Sequence, residues 1–119
     1  MDRQYCGYII NGMSILNQVG EVISTAPQIN ENFNVKIEVN KIKSNDINGY
    51  IILAVYDMKG GLLNIDCAEA NFDTNSDYAS FDFSIPAQRA EIDSIRAFIW
   101  SGVNSMNPLA ETKTIYFTN

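Results

Sequence analysis

The stretch NFNVKIEVN, residues 32–40, alternates without interruption: Phe33, Val35, Ile37 and Val39 fall on one side, and Asn34, Lys36, Glu38 and Asn40 on the other. A period of two is the signature of a strand with one dry face and one wet face. The segment YASFDFSIP, residues 78–86, repeats it, with Ala79, Phe81, Phe83 and Ile85 set against Ser80, Asp82 and Ser84. Two such ribbons need further sheet to cover their apolar sides.

The cover is found between them. GYIILAVYDMKGGLLNI, residues 49–65, is apolar throughout and broken only at Lys59-Gly60-Gly61. Glycine supplies the positive backbone angles of a tight turn, so the reading is a hairpin with one strand near 50–57 and its partner near 61–70. Upstream, MSILNQVGEVIS (13–24) reads as a weaker, bent strand pair about Val19-Gly20, and Asn11-Gly12 and Asn48-Gly49 read as turns. Downstream, PAQRAEIDS (86–94) is the one place for a helical turn, after which IRAFIW (95–100) begins a strand that pairs with TKTIYF (112–117). No amphipathic helix of useful length interrupts the series. The pattern predicts a small all-β sandwich in one domain.

Composition narrows the function. The chain has 119 residues, 46% of them hydrophobic and 18% charged, and carries a net charge of −6. An acidic balance of this kind excludes nucleic acid and anionic membrane surfaces as expected partners, since both need a basic footprint. No apolar stretch approaches the roughly 20 residues that span a bilayer, so no membrane insertion is expected, and the start MDRQYCGYII lacks the pattern of a signal peptide. Cys6 and Cys67 have no metal-type spacing; they read as two reduced packing thiols or as a single disulfide tying the amino-terminal tail to the body.

There is no histidine, which removes the commonest general base. The acids Asp57, Asp66, Glu69, Asp73 and Asp77 cluster at turns and strand edges and read as solvated surface, so no enzyme and no cofactor are expected. DTNSDY (73–78) imitates the opening of a calcium loop, but Tyr78 stands where glycine is needed and Ser84 where a bidentate glutamate is needed. A self-capping turn is the expectation there, with no metal.

The order of strands, and above all ILAVYDMKGGLL (52–63), SIPAQ (84–88) and IRAFIWSGVNSMNPLAE (95–111), resembles the immunoglobulin-like modules of large secreted or cell-surface proteins of Gram-positive bacteria. Tyr56-Asp57, Gly60, Trp100, Met106, Pro108 and Leu109 carry the resemblance, which covers roughly residues 12–117; Ser101-Gly102 and Asn107 depart from it. It implies an immunoglobulin-like (fibronectin III-like) two-sheet antiparallel β-sandwich of about seven strands at 12–119, with 1–11 as an amino-terminal extension or added strand. It further implies a non-catalytic accessory, spacer or protein-docking module, extracellular or on the cell surface.

Parity places the site. In 95–100, Ile95, Ala97 and Ile99 point one way and Arg96, Phe98 and Trp100 the other; in 50–56, Ile51, Leu53 and Val55 oppose Tyr50, Ile52, Ala54 and Tyr56. In an immunoglobulin-like sandwich these strands are neighbours, so Tyr50, Tyr56, Phe98, Trp100 and Tyr116 share one outer face. An aromatic patch of this size marks a contact. Its candidate occupants are internal cover by the start of the chain (Tyr5, Tyr8, Ile10) or the 101–109 loop, a neighbouring domain or another copy of the chain, and a polysaccharide assisted by Asn64, Gln88 and Asn104. A further alternative is self-assembly by donation of the amino-terminal strand. The loop residues Val103, Met106, Pro108 and Leu109 are expected to fold back as a plug over one end of the sandwich.

Overall fold

The computed structural model describes residues 7–27, 31–42, 49–72, 76–88, 90–100 and 110–117. Eight strands occur among them: β1 (Tyr8–Leu16), β2 (Val22–Ile23), β3 (Phe33–Lys41), β4 (Tyr50–Asp57), β5 (Leu62–Glu69), β6 (Tyr78–Ile85), β7 (Ile92–Trp100) and β8 (Lys113–Tyr116). They form two four-stranded sheets, ordered β2-β1-β3-β6 and β5-β4-β7-β8, and every pairing is antiparallel. The chain crosses between sheets at β3–β4, β5–β6 and β6–β7. This is an immunoglobulin-like, fibronectin III-like sandwich, with the two-residue β2 as an eighth strand beyond the seven expected.

Two hairpins are built by one device. Asn17 and Asp57 each open a five-residue turn, and each side-chain Oδ1 accepts two backbone N–H groups: Val19 and Glu21 at 3.1 and 2.9 Å, Lys59 and Gly61 at 2.9 and 2.7 Å. Gly20 and Gly60 take the fourth place with φ of 87° and 83°, and their N–H groups return to the carbonyls of Asn17 and Asp57. A short polar side chain at the first position and glycine at the left-handed one are what such a turn requires.

The core lies between the sheets. Phe33, Val35, Ile37 and Val39 of β3, with Ile10 and Ile15 of β1 and Phe83 and Ile85 of β6, meet Ile51, Leu53 and Val55 of β4 and Ile95, Ala97 and Ile99 of β7. Register partners share a face, and pairs such as Val35 with Phe83 and Leu53 with Ala97 therefore point inward together. Burying each large aliphatic side chain contributes about 1.5–3 kcal/mol, which makes these alternating rows the main source of stability.

Four expectations change. Of the segment 1–11, expected as an extension or added strand, the described residues 8–11 belong to β1, and Asn11-Gly12 is no turn but a register shift within the β1–β3 pairing. Tyr8 and Ile10 enter the core from the first sheet, so they do not lie on the outer rings of the second; Tyr5 is outside the described residues. No helical turn forms at 86–94 among the described residues, where the Gln88 side chain instead donates to the Pro86 carbonyl at 2.7 Å. Cys67 is a free, exposed thiol rather than a packed one, and Cys6 is outside the described residues.

The expected plug of Val103, Met106, Pro108 and Leu109 also lies outside the described residues. At the same end of the sandwich a different aromatic cluster is visible: Phe72 stacks on Tyr8 at 5.9 Å between centroids, meets Phe81 edge-on at 5.9 Å, and carries the Lys41 ammonium 5.4 Å above its ring.

Candidate functional site: the outer face of the second sheet

The outer face of β5-β4-β7-β8 is fixed by register. Tyr50 stands between Glu69 and Trp100; Ile52 between Cys67 and Phe98; Ala54 between Ile65 and Arg96, with Thr114 beyond; Tyr56 between Leu62 and Ser94, with Tyr116 beyond. All five aromatic residues expected on one face therefore share it. Their inward neighbours Ile51, Leu53, Val55, Ile95, Ala97 and Ile99 are fully buried.

The rings are not equally open. Tyr50, Tyr56, Phe98 and Trp100 are half-buried, whereas Tyr116 is 64% exposed. Phe98 and Trp100 lean on each other with centroids 5.4 Å apart and planes at 41°, and the Arg96 guanidinium lies 5.0 Å over the Tyr56 ring. Ile52, Ala54 and Ser94 form the floor and are 4%, 2% and 2% exposed although they point away from the core. The diagonal from Arg96 to Tyr56 runs across Ala54 and Ser94, so the cation and the ring share in covering them.

Arg96 is the unusual member. Its Nε is buried without a hydrogen-bond partner. A guanidinium is a rigid fork of donors; covering Nε without a partner costs about 1–3 kcal/mol, and the half-buried side chain leaves its positive charge on this face.

The opposite exterior differs. On the first sheet Asn34, Lys36, Glu38 and Asn40 of β3 lie beside Ser80, Asp82 and Ser84 of β6, and Asn40 accepts a hydrogen bond from the Asn11 amide and donates to the Asp77 carbonyl. The first exterior mixes these polar rows with exposed Ile9, Val22 and Tyr78, whereas the second gathers five aromatic rings and few charges.

Among the described residues, Asp57 and Asp66 serve the backbone. Asp57 caps its turn, and Asp66 accepts the N–H of Cys67 at 2.9 Å; Asp73 is outside the described residues. No group of three or more His, Cys, Asp or Glu among the described residues is placed to hold a metal ion. In the pseudo-calcium loop, the Ser76 hydroxyl bonds the Tyr78 backbone in a local turn; residues 73–75 are outside the described residues.

No protein-family model matches the chain, and no curated protein sequence matches it significantly. Among solved structures it is similar to the C-terminal domain of wzt, with a TM-score of 0.62 and 14% identity over 95% of this chain and 74% of that one. It is also similar to a Bacteroides uniformis β-glucuronidase, with a TM-score of 0.59 and 12% identity over 93% of this chain but only 14% of that one. Both are likenesses of fold.

Sequence reasoning missed the β5 edge of the face. Leu62 and Ile65 of β5 are 55% and 59% exposed beside Ala54 and Tyr56, and Cys67 and Glu69 complete that edge. The register shift between Val55 and Tyr56 breaks the β5 alternation, so LLNIDCAE offers no clean period to read. The side chains expected to hydrogen-bond a sugar are elsewhere: Asn64 pairs with the inward Val55, the buried Gln88 serves Pro86, and Asn104 is outside the described residues.

Proposed function

We propose that the chain is a non-catalytic accessory module of a larger extracellular or cell-surface protein, and that it docks protein through the outer face of β5-β4-β7-β8. The observation that carries this reading is the gathering of Tyr50, Tyr56, Phe98, Trp100 and Tyr116 with Arg96 on one face. Tyr, Trp and Arg are the residues that dominate protein contacts, and here they gather on one face around a guanidinium with an unmet donor, rimmed by exposed Leu62, Ile65 and Tyr116. The fold's occurrence as 14% of a β-glucuronidase chain supports use as one part of a larger protein. Location outside the cell rests on the family resemblance of 52–63, 84–88 and 95–111.

Polysaccharide binding is the second reading, favoured by the Phe98–Trp100 pair beside Tyr50. It is the weaker one, because stacking fixes a sugar only when polar groups orient it, and Asn64 and Gln88 do not face these rings. Donation of the amino-terminal strand has little support, since β1 is already paired with β3 of its own chain.

The test is a random-peptide library panned on the folded chain. Recovered binders should lose affinity for a chain carrying Ile65→Lys and Tyr116→Lys, and keep it for one carrying Ser80→Lys and Ser84→Lys on the opposite exterior. Absence of binders, or binders sensitive only to the second pair, overturns the docking reading. Saturable quenching of Trp100 emission by a wall or plant polysaccharide replaces it with the sugar reading.

A further inference from the structure

Resting on the docking reading, we infer that the occupant of this face is a second copy of the same chain, held by Arg96 of each copy against Glu69 of the other. The four rows of the face contain two charges, Glu69 on β5 and Arg96 on β7, and they lie at opposite ends of a diagonal whose midpoint is Ile52. Glu69 is exposed and makes no ion pair with any described residue. Two strand spacings and four residues along the strand separate the pair by about 16 Å at Cα, too far to meet within one chain.

A two-fold axis lying in the plane of the face, through Ile52 and across that diagonal, removes the mismatch. It carries Glu69 of one copy onto Arg96 of the other and satisfies both pairs at once, which is the self-complementarity an isologous interface demands. The terminal nitrogens of the half-buried Arg96 face the incoming carboxylate, and Phe98, Trp100 and Ile65 lie near the axis and meet their equivalents. Elsewhere the chain is net acidic and repels its own kind, so a nearly neutral face with one charge of each sign is where two copies can approach.

The area sets the strength. Four strands about 4.8 Å apart and four rows about 6.7 Å apart give a footprint of about 500 Å² on each copy, near the lower limit of about 1,000 Å² in total for a specific interface. The pairing is therefore weak and reversible, and it strengthens by avidity when chains are held together.

Sedimentation of the full chain from about 10 μM to about 1 mM, across the range of weak complexes, should show the average mass rising toward twice that of the monomer. Glu69→Arg and Arg96→Glu should each remain monomeric alone, since each sets like charges together twice. An equimolar mixture of the two should associate at least as strongly as the wild type, because both cross-pairs are then opposite in sign. A wild type that stays monomeric, or folded single variants whose mixture does not associate, overturns the inference. Cooperative unfolding by circular dichroism confirms that the variants are folded. If Arg96→Glu does not fold, the series Glu69→Gln and Glu69→Arg decides: association must fall in that order, and no change overturns the pairing. Peptide binders that still converge on the face while the chain stays monomeric would leave the docking reading standing and remove only self-pairing.

Discussion

The ring of Tyr8 fills the space above Gly49: a Cβ on that glycine would stand 2.8 Å from Tyr8 Cε2 and 2.9 Å from Ile99 Cγ2. Tyr8 is in turn stacked on Phe72, so the ring cannot yield without disturbing the aromatic cluster that closes this end of the sandwich. Gly49→Ala should lower stability by about 1–3 kcal/mol, the usual cost of overpacking. Gly12→Ala is the control, because its Cβ would meet only the flexible end of Glu38 at 3.3 Å. Urea midpoints of the two variants check the contrast, and equal midpoints would contradict the packing described.

Leu53 is fully buried and Ile65 is 59% exposed, although they lie on adjacent strands. Leu53→Ala should destabilise by about 2–5 kcal/mol through lost burial and the cavity left behind. Ile65→Ala should stay within about 0.5 kcal/mol in the monomer. Measured below the concentration at which the chain associates, a large loss for Ile65→Ala would mean that this side of β5 is covered within the chain.

Asp57 holds the β4–β5 turn by accepting two backbone N–H groups at one carboxylate oxygen. Asp57→Ala should cost about 1–2 kcal/mol, and Asp57→Asn less, since an amide oxygen accepts in the same geometry. Asn17→Ala tests the matching turn between β1 and β2 and should cost less than Asp57→Ala, because β2 is only two residues long. Thermal unfolding of the three variants gives the order.

Arg96→Met exchanges an unmet buried donor and a cation–ring contact for a flexible apolar side chain. The two losses oppose each other, so monomer stability should change by less than about 1 kcal/mol. Association of two copies should fall sharply in the same variant. A monomer destabilised by several kcal/mol would mean that the guanidinium works inside the chain rather than across an interface.

Much of this architecture is legible where alternation is unbroken. The faces of 33–39, 79–85 and 95–100 follow from parity alone, and the two Asx-glycine hairpins follow from Val19-Gly20 and Lys59-Gly60-Gly61. The failures share a physical cause. A register shift adds a residue and resets parity, so Asn11-Gly12 imitates a turn inside β1, and the shift beside Tyr56 hides which side chains of β5 face outward. Gly49 also lets the Tyr8 ring approach, which only the three-dimensional neighbourhood reveals; Asn48 of the expected turn is outside the described residues. For the site, the five rings were placed by parity and adjacency. The unmet Nε of Arg96 and its relation to Glu69 needed the register of three strands at once.

The three crossings between sheets bear on how the chain reaches this state. Val35 closes against Phe83, and Leu53 against Ala97, so the central ribbons of both layers wait for partners far along the chain. The β1–β2 and β4–β5 hairpins, closed by five-residue turns, can zip locally, whereas topologies dominated by distant pairings fold in milliseconds to seconds rather than microseconds. During that interval the core side of β4 is bare, while on β5, which stays an edge strand, the Asp66 side chain occupies the Cys67 N–H and removes one donor from the open edge that a stray ribbon could recruit.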